Sequence, residues 1–513
     1  MACFFALFRD RLPSSKSINR KRVAIKIMSA SSSSQKLDFF TKFYYGFGAI
    51  ANGAKSNGFN YLLLFFYSQI VGLRADLVSI GILIALIFDA VSDPLVGYIS
   101  DNTHSKWGRR HPFMYMAGLP VAVAYYFLWS PPDWDETGLF LYFVCTAVII
   151  RTLITFYEIP STALVAELTD DYDERTEMMS YRYFFGWWGG LTMAVLNYLV
   201  FLPESKGGTE YIAGWSNYGL TASIIIFISI YASAIGTHRH IPNLKQPPPM
   251  APFNLKRTTL EIKETLNNRS FFALFIFALL YAVAAGVSTS LSIYFSRHFW
   301  EFTTFQIGIM NLPYYLSALI ALFIAPRISK WLGKKKGAMT ITGLAFALAP
   351  LPYILRMLGW FPENNAAPYI LMIGDFSLAI NVLFNTLIVF NTIEVTLVIT
   401  SAALIAAMIA DVVEDSEVKT GRRSEGIFFA ANSFSQKAVN GLGVVVAGQI
   451  LAYVQFPTQA KPGEIPDETL FDLALLYVPV LLFFYLMALM VLNVYQINRD
   501  DHEQNLRELT EQK

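Results

Sequence analysis

The sequence is poor in charged residues and in cysteine. Only 15% of its 513 residues are Asp, Glu, Lys or Arg, whereas soluble domains carry about 25%. Cys3 and Cys145 lie far apart, and Cys145 falls in an apolar run, so a disulfide framework or a cysteine metal site is excluded. We recognise no nucleophile–base set, nucleotide-binding loop or metal-ligand cluster. We therefore expect a protein that is not an enzyme, needs no cofactor and binds no nucleic acid.

Long apolar runs are what the sequence has in abundance. Hydrophobic residues make up 54% of the chain, and many runs reach the roughly 20 residues that a helix needs to cross a bilayer. The chain is therefore predicted to be an all-α polytopic membrane protein. Its twelve candidate spans, numbered here in chain order, are 42–71, 77–100, 113–129, 139–163, 181–202, 216–236, 270–295, 305–327, 338–358, 378–411, 427–455 and 470–494.

The loops between the spans alternate in charge. Every second loop collects Lys and Arg, whereas the loops of the other set hold at most one basic residue each. Because basic loops stay in the cytoplasm, we expect both termini there, in a multi-pass protein of the plasma (inner) membrane. The basic set includes Lys106, Arg109, Arg110, Arg175, Arg239, Lys245, Lys256, Arg257, Lys334, Lys335, Lys336, Lys419, Arg422 and Arg423.

One apolar stretch, residues 368–411, is too long for a single span. Two crossings there would place the basic residues at 421–423 and those at 334–336 on opposite sides of the membrane. The charge rule therefore favours one crossing. Its leading part, either 369–378 or 381–391, is then expected to be bent, to lie at the membrane interface or to extend a long helix.

A short repeat divides the chain into two related halves. The segment SKWGRRHPFM (105–114) recurs as SKWLGKKKGAM (329–339), each time between the second and third spans of a six-span set. Two parallel six-helix pseudo-repeats with the same loop in equivalent places are the pattern of the major facilitator fold. Because the loop repeats, we assign it to the fold and to gating, with Lys106, Gly108, Arg109 and Arg110 as the gating residues of the first half.

Polar segments flank and join the two halves. We predict a disordered basic cytoplasmic leader (1–37), an N-terminal half (38–237), a cytoplasmic linker containing QPPPMAP (238–269), a C-terminal half (270–496) and a cytoplasmic tail (497–513). The Ser-rich, basic leader also fits an organelle transit peptide, or an over-extended start with Met28 as the true one.

Two carboxylates stand inside the second apolar run, in FDAVSDPLVG (88–97). Asp89 and Asp93 are four residues apart, so on a helix they share one face. A charge at the bilayer centre costs at least about 2.5–3.5 kcal/mol on insertion scales, and two like charges at this spacing repel unless a cation or a proton lies between them. Pro94 leaves the carbonyl of Ala90 without its helical donor, and Ser92 adds a hydroxyl. These oxygens suit Na⁺, or one acid can carry H⁺.

Further polar groups interrupt other spans. In span 4, Thr155 and Glu158 share a face ahead of Pro160, so Glu158 is either a third cation ligand or a substrate acceptor. In span 11, Lys437 lies among small residues, and its positive charge can compensate the carboxylates of the other half. Asn57 and Asn60 belong to a polar stripe of span 1 that is expected to bind a polar substrate. The alternative for each charge is a buried salt bridge that locks helices together.

Long ordered motifs resemble a known family. The segments FDAVSDPLVG, KWGRRHPF, YEIPSTAL, DERTEMMSYRYFFG and MIADVVEDSEVKTGRRSEGIFFAANSFSQK are similar to those of the glycoside–pentoside–hexuronide:cation symporters, the family of the melibiose carrier. The resemblance runs from about Tyr44 to Val494. It implies uptake coupled to Na⁺, H⁺ or Li⁺, by alternating access of the two halves.

Carried over by position, the resemblance implies two sets of site residues. The cation site would comprise Asp89, Ser92, Asp93 and Thr155, and the substrate site would include Glu158, Arg182 and Lys437. Two positions depart from the family pattern, because Gly53 stands where a galactoside-binding aspartate is found and Thr162 stands where an aromatic stacking residue is found. Both departures argue against a simple galactoside.

The sequence thus predicts a monomeric symporter that carries a sugar or glycoside with Na⁺ or H⁺ and contacts membrane lipid. A cation-coupled lysophospholipid symporter is the second hypothesis, since the broad family includes such proteins. A transporter-like receptor without flux is the third, and it predicts that Asp93→Asn leaves function intact.

Overall fold

The computed structural model describes residues 37–169, 171–244, 268–364, 369–373, 376–420 and 441–496. Most of the leader, most of the linker, the tail and Lys437 lie outside these ranges. The described residues contain nine helices that are long and apolar enough to cross a membrane. The broken helix of span 1, the helix of span 3 and the described part of span 11 bring the segments to twelve, at the predicted positions.

The N-terminal half contains spans 1 to 6. Span 1 comprises Phe39–Phe47, Ala49–Asn57 and Leu63–Phe65 with π-helical turns at Gly58–Leu62 and Phe66–Val71, and spans 2 and 3 are Ala75–Asp101 and His111–Leu128. Span 4 is Glu136–Ala163 followed by Val165–Leu168, span 5 is Tyr172–Leu196 with a π turn at Asn197–Phe201, and span 6 is Ile212–His238. Short 3₁₀ turns occupy Glu204–Lys206, Gly208–Glu210 and Ile241–Asn243.

The C-terminal half contains spans 7 to 12. Span 7 is Arg269–Tyr294 with a π turn at Phe295–Phe299, span 8 is Thr304–Met310 and Pro313–Leu332, and span 9 is Lys334–Leu348 and Leu351–Met357. Span 10 is Val382–Thr420, the described part of span 11 is Gly441–Tyr453, and span 12 is Asp467–Leu492.

The segment before span 10 is not helical. Tyr369–Ile373 and Phe376–Ile380 are antiparallel strands, with Tyr369 opposite Ile380. A helix at 369–378 is therefore contradicted, whereas the alternative in which 381–391 extends a long helix agrees with the structure. One helix of 39 residues follows, which agrees with a single crossing.

Local sequence signals set several helix boundaries. The Asn268 side chain accepts hydrogen bonds from the backbone N–H groups of Ser270 and Phe271 at the start of span 7, as a helix N-cap does. Thr303 and Gln306 form a capping box at the start of span 8. Gly72 ends span 1 with a φ of 97°, a conformation that glycine adopts without steric cost.

The two halves meet at the end of the molecule opposite the basic loops, which we call the closed end. The Gln69 side chain donates to the carbonyl of Pro457 (3.0 Å), and the Tyr294 hydroxyl donates to the carbonyl of Leu64 (3.3 Å). Arg297, at the end of span 7, pairs with Glu204 beyond span 5 (2.9 Å). The end that carries the SKW loops is called the basic end.

Candidate cation and substrate site

The acid pair of span 2 meets span 4 through one hydroxyl. Thr155 Oγ1 lies 3.1 Å from Asp89 Oδ1 and 3.0 Å from Asp93 Oδ1. Asp89 and Thr155 are buried, at 6% and 1% exposure, whereas Asp93 is half-buried. The helical spacing predicted a shared face for the acids, and the structure brings Thr155 to that face.

The Thr155 hydroxyl has more oxygen neighbours than it can donate hydrogen bonds to. Thr155 Oγ1 also lies 3.0 Å from the backbone carbonyl of Arg151, so it has three oxygen neighbours. A hydroxyl has one hydrogen to donate, and ionised carboxylates and carbonyls only accept. At least one of the remaining close oxygen contacts is therefore favourable only when a carboxyl is protonated or a cation lies between the oxygens.

Arg151 is a member of this cluster that sequence reasoning did not assign. Its Nη1 lies 3.0 Å from Asp89 Oδ2, and both side chains are buried. The guanidinium also lies over the Phe59 ring, 4.8 Å from its centroid. The spacing of Asp89 and Asp93 predicted a repulsion between two carboxylates that only a cation or a proton relieves. The structure corrects this prediction, because the Arg151 guanidinium of span 4 offsets the charge of Asp89.

Ser92 is turned toward its own helix. Its hydroxyl donates to the backbone carbonyl of Asp89 at 3.1 Å. Pro94 lies inside the same helix, so the backbone carbonyl one turn earlier lacks its usual donor. Cation binding by Ser92 stays a prediction.

The predicted substrate residues fall in different surroundings. Glu158 accepts a 3.3 Å hydrogen bond from Asn52 of span 1, and Asn60 is half-buried on the same span. Asn57 is buried and accepts a 3.4 Å hydrogen bond from Tyr218 of span 6, so its amide is used inside the N-terminal half. Substrate contact by these three residues stays a prediction.

Arg182 is held at the junction of spans 4 and 5. It donates to Ser161 Oγ (3.2 Å) and to Thr162 Oγ1 (2.8 Å), and it lies over the Tyr45 ring. Thr162 therefore positions Arg182, at the place where the family has an aromatic residue. Lys437 lies outside the described residues, and its role stays a prediction.

Gly53 stands at a point of contact between two helix backbones. A Cβ atom there would lie 2.0 Å from the carbonyl oxygen of Gly186 in span 5, and Gly190 would bring its own Cβ 3.0 Å from the Gly53 carbonyl. Spans 1 and 5 therefore approach closely through glycines, as small residues allow in membranes. This packing leaves no room for the aspartate that the family has at this position.

The SKW loop of the first half is tied to the ends of spans 2 and 4, and its gating role stays a prediction. Arg109 Nη2 and Arg110 Nε each lie 2.7 Å from Glu167 Oε1, and Arg110 also pairs with Asp101 and Ser100. Gly108 makes the turn with a φ of 71°, and the Lys106 ammonium lies 5.5 Å from the centre of the Trp107 ring.

The C-terminal half has an equivalent ion pair. Lys334 Nζ lies 2.5 Å from Asp411 Oδ1, near the end of span 10. Sequence reasoning missed Glu167 and Asp411. A second short repeat would have found them, since AELTDD (166–171) recurs as ADVVED (410–415).

Outside the spans, Asp38 joins the ends of spans 1 and 6. It accepts hydrogen bonds from Thr41 (2.5 Å) and from Arg239. The Thr41 hydroxyl and then the Arg239 guanidinium outweigh the effect of burial and lower the pKa of Asp38. The acid therefore stays charged near neutral pH and ties the two helices at the basic end.

Two six-span halves, an acid pair within span 2 and matched ion pairs at one end fit a transporter of the major facilitator superfamily. Residues 44–499 match the MFS/sugar transport protein family, and the chain belongs to that family. This confirms the family resemblance, and the chain is a sugar/cation symporter by family and not an enzyme.

Relatives that align over three quarters or more of their own length support this family assignment. An uncharacterized symporter of Synechocystis is 26% identical, over 93% of this chain and 97% of its own. The isoprimeverose transporter of Lactiplantibacillus pentosus is 23% identical, over 76% of this chain and 75% of its own. The xylose transporter of Escherichia coli superposes with a TM-score of 0.55 at 14% identity, covering 90% of this chain and 98% of its own, which supports the fold.

Proposed function

We propose that this protein carries a sugar or glycoside together with Na⁺ or H⁺, by alternating access of its two halves. The observation that carries the proposal is the oxygen cluster of Asp89, Asp93 and Thr155, in which one hydroxyl proton is shared among three acceptors. A bound cation or an added proton allows these oxygens to lie close together, because it relieves their mutual repulsion.

Under this proposal, cation binding precedes substrate binding. The cation binds first between the carboxylates of span 2 and the Thr155 hydroxyl. Neutralising that charge lowers the cost of a buried acid pair, and the substrate then binds beside Glu158, Asn60 and Arg182. Because Glu158 is one turn beyond Thr155 on the same helix, a shift of span 4 moves both sites together.

Which end of the molecule is closed bears on the direction of substrate release. The closed end is joined across the halves by Gln69–Pro457 and Arg297–Glu204 contacts. The charge rule makes this the outer end, so release would be toward the cytoplasm, where the gating loops lie. The protein resides in the plasma (inner) membrane with both termini inside, under this proposal.

Uptake by proteoliposomes tests the proposal. Purified full-length protein is reconstituted and given an inward Na⁺ gradient, an inward H⁺ gradient or none, with a panel of labelled glycosides and with labelled lysophosphatidylcholine. We expect gradient-dependent accumulation of at least one glycoside. Accumulation of the lysolipid with no glycoside would overturn the sugar assignment, and absence of any gradient-dependent flux would favour a receptor.

A further inference from the structure

Glu394 is an acid of the C-terminal half that the cation site does not use. It lies near the middle of Val382–Ile409, the apolar part of span 10, and is half-buried. Within the part of the chain that the structure describes, its carboxylate makes no hydrogen bond or ion pair. An ionisable group at this depth is costly and normally faces a cavity or a ligand.

Tyrosines surround this carboxylate from both halves of the molecule. Tyr61 of span 1 is 41% exposed and lies within electrostatic range of Glu394, so a side chain of the N-terminal half approaches this acid. Spans 7, 8, 9 and 12 contribute the other tyrosines in range, which are Tyr281, Tyr314, Tyr353, Tyr477 and Tyr485.

The rings are held in place by mutual packing. Tyr353 and Tyr477 are 5.1 Å apart between ring centroids, and Phe295 packs on both at 4.6 and 4.7 Å. The Tyr477 hydroxyl donates to Ser288 Oγ at 3.2 Å. Phe295 and Tyr477 are buried, whereas Tyr353 is partly exposed, so the packing holds the Tyr353 ring in place as a surface for another ring.

A mainly apolar cavity adjoins the tyrosines on the side of the basic end. Its lining includes Tyr281, Phe346 and Val398, and Val398 is one helical turn from Glu394 on the same helix. The cavity can hold an apolar group that is attached to a polar one bound at Glu394.

Glu394 lies level with the cation site. It precedes Asp411, the acid that pairs with Lys334, by 17 residues, and Arg151 precedes the equivalent Glu167 by 16. At a rise of 1.5 Å per residue, these distances are about 26 and 24 Å. Glu394 is therefore placed to meet a substrate that also contacts span 4.

We propose that Glu394 and its tyrosines form the C-terminal wall of the substrate site, and that this wall selects a neutral glycoside against an anionic hexuronide. The inference rests on the proposed function and names its substrate class. The carboxylate accepts hydrogen bonds from sugar hydroxyls, and the tyrosine rings stack on the apolar face of the sugar.

Charge accounts for the selection. A carboxylate only accepts hydrogen bonds, so it has nothing to offer the carboxylate of a hexuronide. Glu158 presents a second acid from the N-terminal half. The Arg182 guanidinium lies on the N-terminal side, where it donates to Ser161 and Thr162. An anion that reaches Glu394 in a partly desolvated site is therefore disfavoured by like-charge repulsion.

A matched pair of probes tests the proposal. Uptake of 4-nitrophenyl β-glucoside and of 4-nitrophenyl β-glucuronide is compared in proteoliposomes of wild type, Glu394→Gln and Glu468→Gln. The probes differ only at carbon 6, and Glu468 is an exposed acid at the start of span 12. We expect wild type and Glu468→Gln to prefer the glucoside at least about tenfold, and Glu394→Gln to reduce this preference several-fold.

The outcomes are distinguishable. Equal uptake of both probes by wild type overturns the inference without any variant, so the test does not depend on the folding of Glu394→Gln. An unchanged preference in a folded Glu394→Gln, judged by its melting temperature, also overturns it. Absence of uptake of every glycoside tested, these two included, would instead overturn the proposed function, and the inference with it.

Discussion

At the scale of single residues, Asp89 and Asp93 lie one helical turn apart but have different neighbours. Asp89 pairs with Arg151 at 3.0 Å, and both acids share the hydroxyl of Thr155. Removal of one member of a buried ion pair costs about 3–5 kcal/mol, because the other charge is left uncompensated. Arg151 thus sets how much negative charge the cluster offers to a cation.

Arg151→Gln tests this role. We expect the melting temperature of the purified protein to fall, because Asp89 loses its guanidinium. Added Na⁺, or a lower pH if the coupling ion is H⁺, should restore more stability to the variant than to wild type, since the more negative cluster binds the cation more tightly.

Arg74→Gln is the control for this experiment. Arg74 is exposed in the loop before span 2 and pairs with Asp76 in the first turn of that helix, so its loss should change neither the melting temperature nor the response to cations. An equal response to Na⁺ and to pH in Arg151→Gln and wild type would contradict the role given to Arg151.

The acid pair was predictable from the sequence, and its guanidinium partner was not. Spacing of four residues fixes which side chains share a face of one helix, so Asp89 and Asp93 were found together. The contact with Arg151 joins two helices, and spacing within one helix carries no information about it. Asn57 shows the same limit, since its position on a polar stripe did not reveal the contact with Tyr218.

At the scale of helices, spans 1 and 5 depend on direct backbone contact at Gly53. The carbonyl oxygen of Gly186 occupies the place of a Cβ atom. Both partners at this contact are backbone, which cannot move aside as a flexible side chain can. The contact therefore fixes the position of the polar residues of span 1 relative to Arg182.

Gly53→Ala should separate these two helices. We expect a loss of stability of about 1–3 kcal/mol or more, as overpacking costs, and reduced transport. Gly343→Ala in span 9 is the control, because the nearest atom to its Cβ would be Leu489 Cδ1 at 3.9 Å. Thermal unfolding in detergent measures both, and a Gly53→Ala variant as stable as Gly343→Ala would contradict the packing argument.

Helix positions followed from the sequence better than helix interruptions did. Apolar length and loop charge located the spans, because the bilayer imposes both. The π turns at Gly58–Leu62 and Phe295–Phe299 leave no periodic signal. The strands Tyr369–Ile373 and Phe376–Ile380 were not predicted, because a short apolar run fits a strand and a buried helix equally well.

At the scale of the whole molecule, an ion pair fastens the closed end. Arg297 is 7% exposed, and it donates to Glu204 Oε1 (2.9 Å) and to Thr209 Oγ1 (3.0 Å) in the other half. Glu204 also accepts from the backbone N–H of Thr304 at 2.6 Å. These contacts must break when the closed end opens, so they favour the state in which it is shut.

Arg297→Met should shift the population toward opening at this end. The variant keeps an apolar stem but loses hydrogen bonds to a charged group, worth about 1–3 kcal/mol. Spin labels at cysteines that replace Lys206 and Glu464, which are exposed on opposite halves, report the separation, with native cysteines removed. We expect a larger fraction of long distances than in wild type or Arg74→Met, and an unchanged distribution would contradict the fastening role.

The architecture was predictable from the sequence, and the state of the ends was not. The repeated SKW loops identified two related halves, because a fold built from a duplicated unit keeps its loop signature. A transporter alternates between states that share one sequence, so the sequence does not indicate which end is shut. Arg297 and Glu204 come together only through the packing of span 7 against the segment after span 5.

The central claim is that the oxygens of Asp89, Asp93 and Thr155 bind the coupling cation. The most direct measurement is substrate accumulation against a gradient by Asp93→Asn, compared with exchange of substrate at equal concentration. We predict loss of gradient-driven accumulation with exchange retained, whereas Asp76→Asn, in the first turn of the same helix and paired with Arg74, should accumulate substrate as wild type does. Accumulation by Asp93→Asn at the wild-type level would contradict the account.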